Sequence, residues 1–177
     1  MEKINYYQHL PCDNYTEINQ EVLAFVLKYN IVEDSRQFWN PVSVVDFVRA
    51  CPKFNAWTLK NNVRIKTLSV TLGFINRCCL PHTDTPPARF KLSWPVLNTA
   101  NTYNRWFSAP EHATREINHH GGTTYFVEEE LTELDRVCVD RPMIIDSSVI
   151  HDVWVDGNIV APRIGLQCQL VKEPQTL

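Results

Sequence analysis

Val63-Arg64-Ile65-Lys66-Thr67-Leu68-Ser69-Val70-Thr71-Leu72-Gly73-Phe74 is rich in β-branched residues and alternates, with Leu68, Val70, Leu72 and Phe74 on one face and Ser69, Thr71 and Gly73 on the other. A period of two is the signature of a strand, and here it divides a helical first third from a strand-rich remainder. On the N-terminal side, residues 16–29 space Ile18, Val22, Phe25, Val26 and Tyr29 three to four apart behind Thr16 as N-cap, the pattern of an amphipathic helix. A second helix is expected to open at Pro41, run through Val44, Val45 and Val48, and stop at Pro52. On the C-terminal side, further strands are expected over 89–97, 123–127, 137–139, 143–145, 149–155 and 163–171, separated by Pro, Gly, Asn or acidic turns. The expected fold is one mainly β domain over 1–177, with 1–60 as helical support and short strands over 61–177 closing a sandwich or barrel.

Composition bounds the function. With 177 residues, 44% hydrophobic and 21% charged, the chain has the make-up of an ordinary globular domain. Seventeen basic against 20 acidic residues leave a net charge of −3, without the basic excess of a dedicated nucleic-acid binder. No apolar run reaches the length of a membrane span, and Met1-Glu2-Lys3-Ile4-Asn5 lacks the apolar stretch of a secretion signal, so the expected location is the cytoplasm. Cys12, Cys51, Cys78, Cys79, Cys138 and Cys168 include no CxxC pair, which argues against a zinc ribbon or a disulfide framework and for reduced core cysteines.

His82-Thr83-Asp84 sets an imidazole and a carboxylate two residues apart, which in extended chain puts both on one side, as two ligands of one metal require. With 6 histidines and 9 aspartates in the chain, chance alone supplies about 0.3 such triplets, so the motif acquires weight from its company. His151 follows Asp84 by 67 residues inside an expected strand, and Arg163 opens the last strand 12 residues later. Two histidines and a carboxylate on one face of a six-coordinate ion leave three open positions, the arrangement used by non-haem Fe(II) oxygenases. In 163–171, Arg163, Gly165, Gln167 and Gln169 share one face, and a buried guanidinium there needs an anionic partner such as a carboxylate. Arg89, Lys91 and Ser93 share a face of their own strand and are secondary candidates for the same task.

His82-Thr83-Asp84, His151 and Arg163, in that order, resemble the iron(II)- and 2-oxoglutarate-dependent oxygenases built on a double-stranded β-helix, a jelly-roll, cupin-like barrel. The stretch from Arg141 through Asp146 and His151 to Trp154 is similar to the distal-histidine strands of their aspartyl/asparaginyl β-hydroxylase-like branch, and Arg89-Phe90-Lys91-Leu92 to its cosubstrate strand. Two positions depart from that branch: Asp84 supplies a carboxylate that it often lacks, and Lys91 stands where a histidine is expected. The resemblance covers roughly 63–170. It implies Fe(II) held by His82, Asp84 and His151, 2-oxoglutarate chelating the metal with its distal carboxylate on Arg163, and O₂ as the second cosubstrate. The implied reaction couples oxidative decarboxylation of 2-oxoglutarate, to succinate and CO₂, with hydroxylation of a protein side chain or a small amino-acid-like molecule.

Two other classes stay open on the sequence: a non-catalytic cupin-like binding module, and a metal-dependent hydrolase or isomerase that uses the open coordination without a cosubstrate. The polar, aromatic-studded stretch 98–122 reads as a long connection suited to a lid, with Trp106 and Tyr103 as substrate contacts. His119-His120-Gly121-Gly122 reads as a surface loop, because adjacent histidines in extended chain face opposite ways. Glu128-Glu129-Glu130 reads as a solvated turn.

Overall fold

Residues 5–29, 39–76, 79–84, 89–117 and 123–171 are described by a computed structural model of the chain. In chain order the elements are β1 (Tyr7–His9), α1 (Tyr15–Lys28), β2 (Trp39–Val42), α2 (Val44–Ala50), α3 (Pro52–Lys60), β3 (Ile65–Gly73), β4 (His82–Thr83), β5 (Phe90–Leu97), β6 (Thr102–Ser108), β7 (Arg115–Ile117) and β8 (Thr124–Phe126). A 3₁₀ turn (Glu128–Glu130) then leads to β9 (Thr132–Cys138), β10 (Met143–Asp146), β11 (Ile150–Val155) and β12 (Arg163–Leu170). The strands form two six-stranded antiparallel sheets, ordered β1-β10-β5-β12-β3-β2 and β7-β8-β4-β11-β6-β9. The described residues are therefore mainly β with three helices, and from β3 to β6 successive strands fall in alternate sheets.

The first sheet is buried on both faces, and the two faces differ in chemistry. Leu68, Val70 and Leu72 of β3, Leu92 and Trp94 of β5, and Ile164, Leu166 and Cys168 of β12 turn outward, in one apolar cluster with Ile18, Val22 and Phe25 of α1 and Phe47, Phe54 and Trp57 of α2 and α3. Trp94 sits at its centre, with the Phe54 and Trp57 rings edge-on at 5.0 and 4.9 Å. Its indole nitrogen donates to Asn19 Oδ1 at 3.1 Å, and Tyr15 Oη donates to the Pro95 carbonyl at 2.6 Å, so α1 is bonded to β5 as well as packed on it. Each large side chain so buried contributes about 1.5–3 kcal/mol, which places much of the cohesion between helices and sheet.

The inner face of the same sheet, turned toward the second sheet, carries Ser69, Thr71, Lys91, Ser93, Arg163 and Gln167, all buried. Trp106 of β6 caps one end of the space between the sheets. It is fully buried, clustered with Met143 and Ile145, and stacked on Tyr6 and Tyr7 at 5.7 Å each.

Several expectations require correction. Pro41 does not open a helix: it lies in β2, an edge strand, opposite Ser69, where a missing N–H is tolerated. The helix starts at Val44, after Ser43, whose Oγ accepts from the Asp46 N–H. Pro52 does not simply stop it, because Pro52 is the first residue of α3. Helix α1 begins at Tyr15 behind Asn14, two residues earlier than a Thr16 cap allows. Phe74 is 45% exposed and Tyr29 50%, so neither joins the core face assigned to it. The stretch 98–122 is not one long connection, since β6 and β7 lie within it. Asn98 and Asn101, both at positive φ, make the tight passage from β5 into β6, a conformation asparagine tolerates. Cys12, Cys51, Cys138 and Cys168 are free thiols, and Cys78 lies outside the described residues. Among the described residues no helix is long and apolar enough to cross a membrane.

Candidate metal centre

Strand β4 is only two residues long, held between β8 and β11, and its register sets His82 directly opposite His151. The period of two places Asp84 on the same side as His82, so three side chains converge from two strands. Their ligand atoms lie within 4.8 Å of one another, the one such cluster among the described residues. His82 Nε2 is 3.8 Å from Asp84 Oδ1, His151 Nε2 is 3.9 Å from Asp84 Oδ2, and the two imidazole centroids are 4.5 Å apart.

Both imidazoles are held in one tautomer by the backbone. His82 Nδ1 donates to the Leu80 carbonyl at 2.8 Å and His151 Nδ1 to the Val149 carbonyl at 2.9 Å. A carbonyl can only accept, so the proton is on Nδ1 and the Nε2 lone pairs face the carboxylate. Burial lowers the pKa of His151 to about 3, with the charge of His82 adding to the shift and Asp84 opposing it. His82 is lowered by burial too, against the pull of Asp84. Burial pushes Asp84 upward, but Lys91, His151 and His82 outweigh it and hold the carboxyl below its ordinary value. Two neutral imidazoles and one carboxylate are the forms in which these groups bind a metal. Ligand bonds of about 2.0–2.2 Å at right angles require ligand atoms roughly 3 Å apart, so the 3.8 and 3.9 Å histidine–carboxylate separations must each shorten by about 1 Å to close on an ion. The group is close enough to bind a metal ion.

The triad opens on a cavity of about 340 Å³ whose opposite wall comes from the first sheet. Lys91, 3% exposed, sets its Nζ 2.5 Å from Asp84 Oδ2 and 4.9 Å from the centroid of the Trp39 ring. Gln167 donates from Nε2 to Ser93 Oγ at 3.2 Å, while its buried Oε1 has no hydrogen-bond partner. A half turn of that amide lets Ser93 donate to the oxygen and turns the N–H₂ toward the cavity, so the side chain can serve either an acceptor or a donor there. Arg163, 2% exposed, does not line the cavity, and neither does Ser93; its Nε donates to Thr102 Oγ1 at 3.3 Å. Its Nη2 reaches back along β12 to within 3.6 Å of where a Cβ on residue 165 would stand, and the same Cβ would meet Thr71 Oγ1 at 3.1 Å. Glycine at 165 therefore keeps the strip between Gln167 and the guanidinium free of a side chain.

Of the other candidates, Ser93 joins this inner polar strip, whereas Arg89 does not. Its Nε donates to Asp146 Oδ2 at 3.3 Å, its side chain is 54% exposed, and it does not line the cavity. Trp106 is not a loop residue but buried β6 core, with its indole nitrogen donating to the Asp146 carbonyl at 3.1 Å. Tyr103, also on β6, lies under the Arg136 guanidinium at 5.7 Å and does not line the cavity either. Cavity positions that sequence reasoning did not single out are Trp39, at the start of β2, and Tyr125, the β8 partner of His82. His119 and His120 lie outside the described residues.

On the outer face of the second sheet, directly behind the triad, Arg105 is paired in register with Asp152. Arg105 Nε donates to Asp152 Oδ1 at 2.9 Å, its Nη2 bonds both Asp152 and Glu128, and the guanidinium lies over the Trp154 and Phe107 rings at 4.7 and 5.1 Å. Asp152 is fully buried, so this pairing fixes β11 against β6 at the residue that follows His151. No family model matches the chain, and no curated protein matches it.

Proposed function

We propose that the protein is an iron(II)- and 2-oxoglutarate-dependent dioxygenase on a jelly-roll barrel of the double-stranded β-helix type. The observation that carries the reading is a two-histidine, one-carboxylate triad sharing a cavity with a buried cation. A structural metal site would be closed by a fourth side chain, and three ligands leave room for exogenous ones. A divalent ion adds two positive charges to a cavity in which Asp84 and Lys91 already balance, and the buried Arg163 behind it adds one more, so the ligand that best completes it is at least a dianion. A hydrolase or isomerase that binds only water or a sugar oxygen has no use for that excess, and a dicarboxylate neutralises it.

The strand order supports the barrel, since β3, β5, β10 and β12 stand in one sheet and β4, β6, β9 and β11 in the other. In this reading His82, Asp84 and His151 hold the metal, and the backbone carbonyls of Leu80 and Val149 keep the two imidazoles aimed. Arg163 takes the far carboxylate of 2-oxoglutarate over Gly165, Ser93 and Gln167 line its path, and Lys91 keeps Asp84 ionised. When bound, iron with 2-oxoglutarate and O₂ supplies the oxidising power that converts 2-oxoglutarate to succinate and CO₂ and hydroxylates a C–H bond. The chain's own contribution is orientation, charge balance and exclusion of water.

The test is anaerobic reconstitution with Fe(II) and 2-oxoglutarate, scanning for the weak visible charge-transfer band of the chelate, then admission of O₂ and assay of succinate. Band and succinate together are expected; their joint absence overturns the proposal.

A further inference from the structure

We infer that Arg105, on the face of the second sheet turned away from the cavity, is a positioning residue of the metal centre: one guanidinium grips β11 and the segment leaving β8, the two neighbours that hold the strand of His82. The inference rests on the metal-binding part of the proposed function and not on the cosubstrate. It starts from the shortness of β4, which with two residues has little hold of its own and takes its place from β8 on one side and β11 on the other. Whatever fixes β8 relative to β11 therefore fixes His82 and Asp84 relative to His151. The histidine–carboxylate separations of 3.8 and 3.9 Å leave little slack, because a metal site works only when its supports hold the ligands to within about 0.5 Å.

Arg105 makes both connections. The period of two on β11 turns His151 to the cavity and Asp152 to the outer face, where Asp152 accepts from Arg105 Nε at 2.9 Å and from Nη2 as well. The same Nη2 donates to Glu128 Oε1 at 3.0 Å. Glu128 stands three residues beyond Tyr125, the β8 partner of His82, in the 3₁₀ turn that leads from β8 to β9. That turn is fastened at both ends: the Phe126 N–H donates to the Pro81 carbonyl, next to His82, at 2.9 Å, and Thr114 Oγ1 donates to Glu130 Oε1 at 2.9 Å. Glu128 is thus a tether and not the solvated residue that the acidic run suggests. The guanidinium is itself buried and lies over the Phe107 and Trp154 rings, so its fork keeps one direction and sets both carboxylates.

The experiment titrates Co(II) into the full chain and reads both the dissociation constant and the ligand-field absorption, at a temperature where denaturant titration shows each variant folded. Wild type comes first: no Co(II) binding overturns the metal centre, the proposed function and this inference with them, whereas the outcomes that follow bear on the clamp alone. Glu128→Ala leaves Asp152 its partner and so spares the fold; it is expected to weaken Co(II) binding about tenfold and to shift the ligand-field band, as loss of an outer support of a metal ligand does. Glu128→Gln, which keeps an acceptor for Nη2, is expected to recover most of that loss. Arg105→Lys keeps the charge without the fork and is expected to weaken Co(II) at least about tenfold. Arg136→Met is the control, since Arg136 faces Arg105 from β9 but bonds Glu133 and Asp156, neither of them on a strand that carries a ligand, and its loss is expected to leave the Co(II) constant unchanged. An unaltered constant and band in Glu128→Ala and Arg105→Lys overturn the clamp. An equal loss in Arg136→Met overturns it too, by showing that any loosening of the sheet has the same effect.

Discussion

Replacing Arg163 by Gln should separate cosubstrate binding from metal binding. The side chain is 2% exposed, so its charge is almost wholly withdrawn from water and matters most to whatever anion it meets. Gln retains a polar end but deletes the charge and the two-pronged donor, and removing one partner of a buried charge pair typically costs about 3–5 kcal/mol. At about 1.4 kcal/mol per tenfold, that is roughly 10²–10³-fold or more in 2-oxoglutarate affinity. Metal affinity should move little, because Arg163 donates to Thr102 and is not one of the three converging ligands. Loss of that hydrogen bond should lower stability by about 1 kcal/mol, small enough for the variant to be assayed folded. Arg163→Lys should recover only part of the loss, since one ammonium cannot reproduce a planar fork. Co(II) absorption gives the metal constant and a 2-oxoglutarate titration of the Co(II) protein gives the other. An unchanged 2-oxoglutarate constant in Arg163→Gln would refute the clamp and leave Lys91 as the cation that matters.

His82→Ala and His151→Ala should each reduce metal affinity by at least about 100-fold, while His119→Ala and His120→Ala leave it nearly unchanged; equal losses in all four would sink the triad. Asp84→Ala should abolish metal binding at micromolar concentrations and, by leaving Lys91 buried without its partner, destabilise the metal-free fold by about 3–5 kcal/mol; Asp84→Ala with Lys91→Met should be more stable than Asp84→Ala alone, measured by denaturant titration. In the metal-free protein His151 stays neutral in the fold down to about pH 3 but takes a proton near 6.5 when unfolded, so stability is full above about pH 6.5 and falls below it by roughly 1 kcal/mol per pH unit. Denaturant titrations at pH 7.5 and 5.5 check this, and a pH slope identical in wild type and His151→Asn would count against it. Arg105→Met should cost about 3–5 kcal/mol by stranding the buried Asp152, read as a lowered Tm; a change below 1 kcal/mol would show that Glu128 and Asp152 find other partners.

The parts of this molecule legible in the sequence are those where one physical signal acted alone. The alternation of β3 and β12 was readable because one face of each meets the helices and the other the polar interior, so apolar and polar residues take turns without interruption. The His-x-Asp pair and His151 were readable because extended chain dictates where their side chains point. Strand β6 was hidden because it is buried on both faces with polar Asn104 and Arg105 in its middle, which breaks the alternation that betrays a strand. Strand β2 was hidden because Pro41 is as acceptable on a sheet edge as in a first helical turn, and only the Ser43 cap two residues later decides between them. Pro52 carried two meanings at once, end of one helix and first residue of the next. Trp39 and Tyr125 reach the cavity through sheet order, β2 at an edge and β8 beside β4, and no local pattern encodes an order of strands.

The separation of the apolar cluster from the space between the sheets has a consequence for how such a molecule can change over evolutionary time. What holds the chain together lies on the far side of the first sheet, under α1, α2 and α3, and the cavity with the triad lies on the near side. Drift in Ser93, Gln167, Trp39 or Tyr125 can therefore retune ligand preference without drawing on the reserves that keep the chain folded, whereas Trp94, one residue along from Ser93 and turned the other way, tolerates almost nothing. The converse falls on the N-terminal third: shorn of its helices, the sheet would present Leu68, Val70, Leu92 and Leu166 to water as a broad greasy plane, and the strand-rich remainder would be lost to aggregation.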